Sequence, residues 1–385
     1  MINHRDDKDI LLTMSKCGVY CRYFFPFLLV GIFSLSKLFA QVSAPKYSNE
    51  FMSIGIGARA LGMGNAVTAT VSGSEAGFWN PSLLNNQEEK YDLTLMHTSY
   101  FSGIANFDYV GFSFKIDSTT TAGFTFIRLG VDDIPDTRFL YDASGAINYD
   151  NITFFSAADY GFLFSFVRRA NLLGGINLGG NLKVIHRSAG DFAKAWGIGV
   201  DFAANKQFGE WKFGAVLRDA TGTFNAWNHN EKLISDVYNQ TGNTIPDQTL
   251  EITVPALTLG VSRTLFSKNN YSLDFATDLK FTFDGKRNVL LKTNVFSIDP
   301  YVGIELGFKD YLFFRSGINR FQEIKQPDNT LDRVVSPSVG LGINISRFRL
   351  DYALTDFGVV SVSPYSHIFT LGWSFESLKG GSDEN

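Results

Sequence analysis

Cysteine is almost missing from this chain: the two that occur, Cys17 and Cys21, both lie ahead of an apolar run at 23–35. Beyond that run no disulfide framework and no thiol chemistry can be built, and neither cysteine stands where a lipid-attachment cysteine would follow a leader. Histidine is sparse too, and His97, His186, His229 and His367 are scattered without the paired spacing of a zinc site. The Gly-x-Ser-x-Gly elbow of serine hydrolases is absent. The acids Asp132, Asp133 and Asp136 do not fit the EF-hand spacing and read as solvated loop groups. The chain is therefore not expected to be an enzyme, and neither a cofactor nor a metal is expected. A basic patch interleaved with aromatics is lacking, and the formal charge of -4 is small for 385 residues, which leaves nucleic acid out as a partner. Past residue 40 no unbroken apolar run reaches the roughly 18 residues of a membrane helix. Yet 45% of the residues are apolar, with 37 Phe and 15 Tyr.

That hydrophobicity is interleaved. Between Tyr271 and Phe283 the residues Tyr271, Leu273, Phe275, Thr277, Leu279, Phe281 and Phe283 alternate with Ser272, Asp274, Ala276, Asp278, Lys280 and Thr282. Side chains of a strand flip face at every residue, so one face is apolar and the other carries both charge signs. The run exceeds a globular strand of about 5–6 residues and suits a tilted strand crossing a bilayer. Similar alternation predicts strands at 91–98, 107–116, 120–129, 156–168, 174–187, 194–205, 210–219, 255–265, 270–283, 298–308, 311–320, 334–344, 347–356 and 366–375. The expected fold is all-β: a transmembrane antiparallel up-and-down β-barrel of about 14 strands, an even number as single-chain bacterial barrels require. Tight connections alternate with long ones at 130–155, 220–254, 284–297 and 321–333. Short turns belong on the periplasmic side and long loops outside the cell, so both chain ends are expected in the periplasm. By parity Lys183, Arg187, Asp201, Lys212, Arg218, Asp274, Asp278, Lys280, Glu305, Arg315, Arg349 and Asp351 face the lumen. Comparable numbers of both signs favour pairing across the interior and an occluded lumen.

Lys16 and Arg22 ahead of the run at 23–35, with a cut after Ala40, read as a secretory signal peptide over 1–40. A plug segment is expected over 41–90, the barrel over 91–375 and a polar periplasmic tail over 376–385. The plug segment is glycine-rich. Its stretch 55–60 formally fits a dinucleotide fingerprint, but no strand of a βαβ unit precedes it. Clustered glycines also let a chain pack closely against a wall, and Asn80-Pro81 marks a bend just before the first strand.

Ala58-Arg59, then Gly62-Met63-Gly64, then Trp79-Asn80-Pro81-Ser82 resemble the N-terminal pattern of the PorV/PorQ family of outer-membrane proteins from the Bacteroidota. Ser82 stands where that pattern has Ala. The resemblance implies a barrel like that of the fatty-acid channel FadL, with a plug bearing the Asn-Pro turn. It also implies a part in type IX secretion, in which PorV-like members capture cargo by its C-terminal domain. The partners it implies are outer-membrane lipid and secreted cargo C-terminal domains or other type IX components. The long stretch 220–254 is the expected partner-binding loop, through Phe224, Trp227 and Tyr238, apolar groups that need cover. The alternative is a FadL-like outer-membrane channel for hydrophobic small molecules. A lateral opening or an apolar cavity favours the channel; a blocked lumen with exposed apolar loops favours the secretion module.

Overall fold

The computed structural model describes residues 48–142, 144–172, 174–242, 250–325, 329–355 and 365–376. The expected leader over 1–40, the first plug residues at 41–47 and the tail beyond 376 lie outside them. Seventeen strands form one sheet. They are β1 (Tyr91–Tyr100), β2 (Ala105–Lys115), β3 (Thr120–Asp136), β4 (Thr153–Ala170), β5 (Ile176–Ala189), β6 (Ala193–Phe208), β7 (Trp211–Arg218), β8 (Thr223–His229) and β9 (Leu250–Thr253). Then come β10 (Ala256–Lys268), β11 (Tyr271–Thr282), β12 (Leu291–Lys292), β13 (Ser297–Phe308), β14 (Leu312–Lys325), β15 (Leu331–Ile345), β16 (Phe348–Thr355) and β17 (Ser366–Phe375). Fourteen of them, all but β8, β9 and β12, pair antiparallel in a ring that closes from β17 back onto β1. Each coincides with one of the fourteen strands read from the alternation.

The two faces separate as the period of two requires. On β11 Asp278 is 1% exposed while its neighbour Leu279 is 40% exposed. Outside, an unbroken register row of apolar groups runs Ile343, Leu350, Leu371, Leu95, Val110, Phe126, Phe162, Val184, Ile198, Phe224 across ten strands. Two residues along, the outward row becomes His97, Asp108, Arg128, Tyr160, His186, Trp196. An apolar band bounded by aromatic and polar groups is the surface that hydrocarbon and headgroups select.

The wall is irregular in two places, both toward the end that carries the long connections. β7 and β8 are one strand interrupted at 219–222, opposite Val254 and Pro255. β13 and β14 pair from Val302 with Ile318 to Phe308 with Leu312, but 299–301 and 319–321 face each other with no ladder between them. Pro300, which has no N–H, lies in this unpaired stretch.

Candidate functional site

Residues 48–90 thread the lumen as short helical pieces: two α-helices, α1 (Ala58–Gly62) and α2 (Ala76–Trp79), with 3₁₀ segments at Glu50–Ser53, Gly73–Glu75 and Pro81–Asn86. The Trp-Asn-Pro-Ser stretch ends one helix and starts the next. Asn80 is extended, and its Oδ1 accepts from Ser82 N at 3.1 Å and Ser82 Oγ at 2.6 Å. Pro81 takes the first helical position, where a missing N–H costs nothing. The same motif ties the two halves of the plug together. Trp79 Nε1 donates to Ile56 O at 2.9 Å, and Asn80 Nδ2 donates to Thr68 O at 2.7 Å.

The Gly62-Met63-Gly64 turn lies against β13, β14 and β15. Gly64 has φ +60°, and a Cβ on it would sit 2.6 Å from Ile318 N; a Cβ on wall residue Gly317 would sit 2.2 Å from Gly64 N. Backbone touches backbone here, so no flexible side chain can yield. Gly64→Val is expected to unseat the turn, and conductance across planar bilayers should rise well above wild type; unchanged conductance would show that this contact does not keep the lumen shut.

Charge also ties the plug to the wall. Arg59 in α1 grips Glu305 of β13 with two parallel bonds, Nε to Oε2 at 3.0 Å and Nη2 to Oε1 at 2.9 Å. Glu305 also receives Arg315 of β14, whose Nη1 donates to Asp351 Oδ1 on β16 at 2.6 Å. Arg349 Nε lies 3.2 Å from Asp351 Oδ2, and its Nη2 lies 3.7 Å from Glu75 Oε1 of the plug. Six side chains thus alternate in sign, with both ends on the plug and the middle on the wall. Planar guanidinium forks suit such paired carboxylate contacts. The parity reading placed the four wall members in the lumen; it could not say that the plug supplies the two ends.

Burial pushes the Glu75 carboxyl up to about 7 from its ordinary 4.5, against the opposing pull of Arg349. A docked carboxyl that holds its proton more tightly than a released one favours docking fully below pH 4.5, and this contribution is lost as pH rises through about 7. Conductance through released plugs should therefore grow over that window, and Glu75→Gln should flatten the rise. A rise equally steep in the variant would place the titration elsewhere.

Between the plug and the long-connection end is a cavity of about 90 Å³, reached by Phe78, Trp79, Lys183, Arg218, Asp278 and Lys280 among others. It adjoins both wall irregularities, through Asp219, Val254 and Pro255 on one side and Tyr301 on the other.

Of the three aromatics expected to form a partner-binding loop, two point to opposite faces of the wall. Phe224 and Trp227 lie on β8, an extension of the wall where a loop was expected, and neighbours on a strand point oppositely. Phe224 faces outward in the apolar row; the half-buried Trp227 faces in, with Nε1 donating to Glu251 Oε2 at 2.9 Å and Arg187 over its ring. Tyr238 sits half-buried on a third helix, α3 (Glu231–Thr241). Ile245, from the same stretch, lies outside the described residues. Four strongly exposed aromatics cluster in sequence around the connection between β3 and β4: Phe139, Tyr141 and Tyr149 within it and Phe154 at the start of β4.

No family model matches the chain, and no curated protein matches it. Solved structures do. The toluene transporter TbuX of Ralstonia pickettii has a TM-score of 0.51 at 12% identity, over 84% of this chain and 99% of that one. The monoaromatic hydrocarbon channel CymD gives 0.51 at 13% identity, over 84% and 98%. The toluene transporter TodX of Pseudomonas putida gives 0.50 at 12% identity, over 84% and 99%. At such identities the likeness is one of fold, and it spans the barrel nearly end to end: this chain has the closed, 14-stranded antiparallel barrel fold of these transporters.

Proposed function

We propose that the protein is an outer-membrane channel for small molecules with apolar bodies, kept shut by its plug, with the long connections outside the cell and both chain ends in the periplasm. The observation that carries this reading is the unpaired stretch of wall between β13 and β14 beside the cavity. Side chains, not a backbone ladder, close its upper end. β12 pairs with Ser297 and Ile298 on β13, while Asn288 exchanges bonds of 2.9 Å with the backbone of Glu323 on β14 and Lys292 pairs with the Glu323 carboxylate. Arg287 anchors this wedge, holding Asp284 and reaching Glu50 of the plug segment at 3.1 Å. A closure made of a few exposed pairs opens far more readily than a strand ladder. The named cargo of the fold's relatives, toluene and monoaromatic hydrocarbons, supports the class of solute.

The test is uptake of toluene by vesicles containing the purified protein. Wild type should admit it above protein-free vesicles, and Arg287→Ala, which frees the wedge, should admit it faster. Vesicles that stay impermeable with both proteins would end the channel reading.

A second reading, a PorV-like module of type IX secretion, keeps one specific support: Phe139, Tyr141, Tyr149 and Phe154 are 61–72% exposed at the long-connection end, where apolar groups of this size mark contact surfaces. Recovery of secretion components or cargo in a native pull-down, lost when all four are changed to Ala, is its expected outcome; a pull-down that brings no such component removes it.

A further inference from the structure

The cavity above the plug is not the apolar pocket a hydrocarbon prefers, because four cations and three carboxylates line it. Each of those carboxylates has a partner, although Asp278 keeps one buried oxygen, Oδ1, without one. Glu50 is held by Arg287 at 3.1 Å, Asp219 by Lys183, and Asp278 Oδ2 by the backbone N–H groups of Val67 and Thr68 at 3.1 and 2.9 Å. Lys183 and Arg287 are consumed in the same pairs. Lys280 is different: among the described residues it makes no ion pair and no hydrogen bond, and Asp299, opposite it in register, is not within ion-pair reach. Arg218 likewise meets no carboxylate. Its Nη2 donates to Phe78 O at 2.9 Å and its guanidinium lies 4.7 Å from the centre of the Phe78 ring.

A half-buried ammonium without a partner is costly, and a carboxylate arriving beside it offsets that cost through charge-assisted hydrogen bonds. Phe78, Trp79 and Tyr301 offer the same space three aromatic rings. Its size, about 90 Å³, is below the roughly 150 Å³ that takes a benzene molecule in an apolar core, so it encloses a solute shorter than one ring, holds a single ring only in part, and cannot enclose a long acyl chain. We infer that this cavity binds a small organic carboxylate of one ring or shorter, with Lys280 and Arg218 on the carboxylate and Phe78 and Trp79 against its body. The inference rests on the channel reading and narrows it from neutral to anionic solutes.

Benzoate and toluene share a ring and differ by a carboxylate in place of a methyl group, so the pair isolates the charge. Equilibrium binding of each to the full chain in detergent should favour benzoate by about tenfold or more, the return of a charge-assisted bond. Lys280→Met should lose about that factor for benzoate and none for toluene, and Lys280→Arg should keep it. The wild-type preference stands as a measurement even where a variant fails to fold. Benzoate that binds no better than toluene, or equally well to a folded Lys280→Met protein, overturns the inference. If toluene still enters vesicles in that event, the channel reading survives alone; benzoate bound through Lys280 in a protein that admits neither solute would instead remove the channel and leave the site.

Discussion

Replacing Arg315 by methionine is expected to destabilise the folded barrel by about 3–5 kcal/mol, the penalty for removing one partner from a buried ionic network. Arg315 is 2% exposed and serves two carboxylates, Glu305 and Asp351, which are 6% and 0% exposed. Without it both face each other across the lumen with only Arg59 and Arg349 at the flanks. The measurement is the urea midpoint of the folded band in heat-modifiable gel mobility, from protein refolded into vesicles. Neutralising the carboxylates as well, by Glu305→Gln and Asp351→Asn alongside Arg315→Met, should recover much of the loss, since a buried ionic network is worth little net once it is removed whole. A loss under about 1 kcal/mol for the single variant would mean that water reaches these groups and the lumen is not packed.

Leu371→Arg tests the outer face. Leu371 lies mid-strand on β17, with Leu95 and Leu350 beside it in register and all three turned outward. A cation there meets hydrocarbon, at about 2–4 kcal/mol near the midplane, whereas the same charge at an interface costs about 0–1 kcal/mol. The same urea midpoint reads it, with Leu371→Ala to remove the packing contribution. Equal midpoints for the arginine and alanine variants would mean that this face is not in lipid.

Alternation made the wall legible, because an outward Leu and an inward Asp on successive residues can satisfy a barrel in one way only. What it could not supply is height along the axis. Lys183, Asp201, Glu305 and Arg315 were readable as lumen groups, but whether each meets a partner depends on strand stagger, which no single strand records. Lys280 was read as luminal for the same reason, and its lack of a partner became visible only once the neighbouring strands were in register. The stretch 220–254 was misread as a loop because four residues at 219–222 sit opposite only Val254 and Pro255, breaking the period between β7 and β8. The bend at Asn80-Pro81 and the close backbone approach at Gly64 were legible, since both are demands of backbone geometry.

The contact of Ala58 N with Thr370 Oγ1, at 2.8 Å, joins residues 312 apart in sequence. Nearby, Asp92 on β1 accepts from Ser74 of the plug and from Ser374 on β17, the strand that closes the ring. The seam where the barrel's first and last strands meet is therefore lined on its inner side by a segment that precedes every strand of the ring in the chain. At the seam that segment has no Thr370 or Ser374 to meet until the final strand arrives, and contacts of such span are slow to form. Chains shortened before β17 would leave the plug without Thr370 and the seam without Ser374 together, so cavity filling and ring closure are coupled in one late step of assembly.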